Sequence, residues 1–77
     1  MILHAPLEAV ADRVPHAVGT LEAIDDRSCL LRTGSGWLGG LAVYIADIGV
    51  DFTVVDPPEF ATRVRELAGV FTRAAAV

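Results

Sequence analysis

The stretch Gly34-Ser35-Gly36-Trp37-Leu38-Gly39 spells G-x-G-x-x-G between an expected strand and an expected helix. In a dinucleotide site this pattern lets the backbone approach a pyrophosphate and presents it to a helix N-terminus. Asp51 and Asp56 stand near the distance at which such sites place a ribose-binding acid. The chemistry also needs a parallel sheet with a switch point and a much longer chain. Here the preceding strand is the return arm of a hairpin, so the motif reads as a loop with close packing.

Cys29 and His16 are the one nucleophile–base combination on offer. The hairpin expected around Asp25 sets Cys29 opposite Asp25, and His16 lies nine residues further back. At ~3.3 Å per residue that is roughly 30 Å, against a hydrogen-bond reach of ~3 Å. The dyad fails, and Cys29 reads as a small buried hydrophobe. His4, His16 and Cys29 lack metal-ligand spacing. Asp25, Asp26, Asp47 and Asp51 read as solvated turn acids. On the last helix, Glu59–Arg63 is expected as an i,i+4 pair within a mixed-sign solvated face that also carries Arg65, Glu66 and Arg73. No catalytic, cofactor-binding or metal residues are assigned.

The elements that would position these groups fit one domain over residues 1–77. With 53% hydrophobic residues, a compact core is affordable and apolar surface is left over for a partner. No apolar run approaches the ~20 residues of a membrane span, and no signal peptide is expected. A single cysteine fits a reducing, cytoplasmic setting. Net charge is −4, every basic residue is arginine, and there is no basic stripe. Phosphate contacts dominate nucleic-acid affinity, so this chain is a poor DNA reader by itself.

Ile2–Ala5 is the first expected strand. Pro6 suits the first turn of a helix whose apolar face is Leu7, Val10, Ala11 and Val14, closed by Pro15. A hairpin follows, with strands near Val18–Ile24 and Cys29–Thr33. With Asp26–Ser28 as the loop, Ala23 faces Leu31 and Leu21 faces Thr33. Leu21, Ala23, Cys29, Leu31 and Thr33 then share the core face. Thr20, Glu22, Arg32 and, anomalously, Leu30 point the other way. Ser35 is the expected cap of a helix buried along Leu38, Leu41, Ile45 and Ile48 and ended by Gly49. Phe52–Val55 is the fourth strand. In Asp56-Pro57-Pro58-Glu59, Asp56 is expected to cap, Pro57 to sit first and Glu59 to complete a capping box. Phe60, Val64, Leu67, Ala68 and Phe71 form the apolar face of the last helix.

The order predicts an α+β fold, a ferredoxin-like βαββαβ sandwich with an additional C-terminal helix. A 4-1-3-2 strand order leaves strands two and four as edges open to pairing between chains. Acylphosphatase-type chemistry on this architecture relies on an asparagine, and the chain has none. RNA-recognition modules need aromatics on the two central strands, and these strands carry none. Trp37 and Tyr44, two turns apart on one side of a helix, and outward-facing Leu30 are the candidate partner or ligand contacts.

The run Trp37-Leu38…Leu41-Ala42-Val43-Tyr44-Ile45…Gly49–Phe60, with Gly19–Glu22, Asp25-Asp26 and Cys29–Thr33 before it, resembles the C-terminal (WCX-type) extension of WYL-domain, DeoR-like helix-turn-helix bacterial transcriptional regulators. The resemblance covers nearly the whole chain. It implies a ferredoxin-like domain used in regulation and oligomerisation, excised from a longer regulator. Its partners would be further copies, the regulator's other domains and an unknown effector. DNA would be reached only through a helix-turn-helix absent from these residues. The alternative is a small-molecule or nucleotide-sensing module of the same fold. The WYL family's ligand residues do not transfer, because the chain has no Trp-Tyr-Leu motif.

Overall fold

The computed structural model describes residues 1–33 and 38–76, with the side chain of Leu38 excepted. Its elements are β1 (Ile2–Leu3), α1 (Leu7–Val10), β2 (Thr20–Asp25), β3 (Ser28–Arg32), α2 (Leu38–Asp47), β4 (Phe52–Thr53) and α3 (Pro58–Ala74). The strands form one sheet in the order β2-β3-β1-β4, and every pairing in it is antiparallel. β2 and β4 are therefore the edges. Among the described residues, no helix is long and apolar enough to cross a membrane.

The hairpin register differs from the expected one. Ala23 pairs with Cys29, and Leu21 pairs with Leu31. Two shifts of one residue produce this. First, the turn is tighter: Asp25 pairs directly with Ser28. Asp25 Oδ1 holds it by accepting from the Arg27 backbone N–H at 2.8 Å and the Ser28 hydroxyl at 2.9 Å, the local bonding that makes Asp a turn former. Second, a bulge between Ala23 and Asp25 absorbs Ile24. Either shift alone would invert the faces. Together they restore them, so Cys29 and Leu31 are buried as expected while Ala23 stays exposed.

The pairings set two rows across the sheet. Ala23, Cys29, Leu3 and Phe52 line one face; Glu22, Leu30, Ile2 and Thr53 line the other. The core lies on the first, where Leu3, Cys29 and Leu31 are covered by Val10, Val14, Leu41, Ala42, Ile45 and Phe60. Burying side chains of this size contributes about 1.5–3 kcal/mol each.

α1 is shorter than its periodicity suggests. It covers one turn, and residues 11–14 continue as turns with Val14 N–H still reaching the Val10 carbonyl at 3.1 Å. Pro6 precedes it in extended conformation and is not in its first turn. α2 ends as expected. Gly49 has φ +84°, its N–H donates to the Ala46 carbonyl at 3.0 Å, and Val50 N–H reaches back to Ile45 at 3.5 Å. These two bonds are a Schellman motif. The cap expected from Ser35 lies outside the described residues.

The start of α3 is a correction. Pro57, joined to Asp56 by a cis peptide bond, occupies the cap position with φ −74° and ψ 160°, and no side chain caps the helix. Pro58 causes this, because the residue before a proline is excluded from helical backbone. The helix therefore begins one residue later than Asp56 could cap, and the capping box does not form.

Candidate functional site

The groups considered for chemistry are not brought together. Cys29 is fully buried in the core row beside Ala23 and Leu3, and desolvation pushes its thiol pKa up. His16 is exposed beside Asp12 in a shallow cleft between the α1 region and β2. His4 lies across the sheet, hydrogen-bonded through Nε2 to Thr53 Oγ1 at 2.7 Å. Among the described residues, no three His, Cys, Asp or Glu side chains are grouped to hold a metal ion. Arg63 pairs with Glu66 at 3.8 Å and not with Glu59, on an exposed face where such a pair adds little. Of the G-x-G-x-x-G stretch, Gly34 to Trp37 lie outside the described residues.

The three candidate contact residues separate. Trp37 lies outside the described residues. Tyr44 is half-buried against the core, and its hydroxyl donates to the Arg13 carbonyl. That bond ties α2 to the turns after α1. Leu30 is half-buried on the opposite face of the sheet, next to Ile2 and beside the Glu22–Arg32 ion pair.

The sequence match that fits this architecture is to the WCX domain, over residues 4–70. The chain belongs to the WCX domain family. No solved structure matches it. The match begins just after β1 and spans the other three strands, α1, α2 and all but the last turn of α3.

In this WCX domain, the feature that stands out is apolar surface. Phe71 is 54% exposed although it lies on the stripe of Phe60, Val64 and Leu67. α3 has 17 residues and α2 has 10, about 25 Å against 15 Å at 1.5 Å per residue. A groove of about 220 Å³ lies between the helices, lined by Val43, Ala46, Phe52, Leu67, Ala68 and Phe71. A second, wider cleft of about 680 Å³ runs along β4, with Val50–Val54 on one wall and Ala61, Val64 and Arg65 on the other. Periodicity put Phe71 on the buried face; in the fold it lies beside Val43 and Ala46 across a groove that leaves it open.

Proposed function

We propose that this WCX domain is the non-catalytic C-terminal regulatory and oligomerisation domain of a WYL-type, DeoR-like bacterial transcriptional regulator. In this reading it works in the cytoplasm, and DNA is reached through a helix-turn-helix domain elsewhere in the regulator. The strand order and the helices between β1 and β2 and between β3 and β4 support ferredoxin-like connectivity with α3 appended. Membership of the WCX family supports the regulatory association. The observation that carries oligomerisation is the continuous apolar surface formed by Val43, Phe71 and the open β4 edge. Monomeric proteins seldom leave such surface contiguous. The buried groups are apolar, and no convergent polar set among the described residues competes with this reading.

Fusing the chain to a monomeric helix-turn-helix domain tests it. The fusion is expected to bind a two-half-site operator far more tightly than the isolated reader, through effective concentration. Unchanged affinity would remove the assembly role.

The small-molecule or nucleotide-sensing alternative rests on the β4 cleft, whose volume lies within the range of ligand pockets. Trp37 fluorescence titrated with nucleotides and metabolites distinguishes it; no response across a broad set counts against it.

A further inference from the structure

We draw no further inference here: the strongest candidate, the cleft along the open β4 edge that continues past Ala46, Phe52 and Val64 into the apolar groove between α2 and α3, carries nothing because nothing in the structure shows what covers it.

Discussion

Phe60 and Phe71 lie eleven residues apart on one stripe of α3, yet Phe60 is 2% exposed and Phe71 is 54% exposed. The same helical face is core at one end and open surface at the other. Phe60→Ala is expected to cost about 3–5 kcal/mol, the range for a buried aromatic. Phe71→Ala is expected to change stability by less than about 1 kcal/mol and to weaken association instead. Urea unfolding at a concentration that keeps the chain monomeric checks both values.

Two glycines are held by different constraints. At Gly19, an added Cβ would stand 2.3 Å from the Arg32 carbonyl oxygen. That neighbour is backbone and the strand must shift to admit it, so Gly19→Ala is expected to destabilise by about 1–3 kcal/mol as overpacking does. Gly49 has open space around it but a left-handed φ of +84°. Gly49→Ala is expected to cost about 1–2 kcal/mol for backbone conformation alone. Thermal melts of the two variants separate the causes, because Gly49→Asn is tolerated at a left-handed position and Gly19→Asn is not.

Burial raises the Cys29 thiol pKa. The unfolded thiol ionises near pH 8.5, and the folded one ionises higher. The stability linked to this group is therefore full below about pH 8.5 and is lost as pH rises toward the folded value. Cys29→Ala is expected to flatten that alkaline decline while lowering stability at neutral pH through the cavity it leaves. A thiol reagent is expected to label the native chain only as fast as it unfolds.

Asp25 shifts in the opposite direction. The Arg27 backbone N–H and the Ser28 hydroxyl lower its carboxyl pKa. Its contribution is present above the ordinary aspartate range and is lost as pH falls through the lowered folded value. The Asp25 carboxyl carbon observed by NMR is expected to titrate below the ordinary aspartate range. Asp25→Asn keeps the turn acceptor and removes that acid dependence.

Much of the architecture was legible because it depends on patterns the chain carries locally. Alternation around Cys29 and Leu31 gave the core face, and Gly49 gave the end of α2. The hairpin register was not legible, because a tight turn at Asp26-Arg27 and a bulge at Ile24 are two one-residue effects with no shared signature. Their sum preserved the parity, which is why Cys29 and Leu31 stay buried under a different pairing while Ala23 is exposed. The start of α3 was misread because Asp56 satisfied a capping pattern while Pro58 imposed the stronger constraint on Pro57. At the candidate site, residue type favoured Tyr44 and Leu30. The fold places them on opposite sides of the sheet, and Tyr44 spends its hydroxyl on the Arg13 carbonyl. The surface that emerged is made of Val43, Phe71 and the β4 edge. It depends on the groove left between α2 and α3 at Val43, Ala46 and Phe71, a tertiary feature that periodicity does not report.

Sedimentation equilibrium of the unmodified chain from micromolar to millimolar concentration tests the assembly role most directly. The account predicts a reversible rise from the mass of one chain to that of two. A single species with the mass of one chain across the whole range would contradict it.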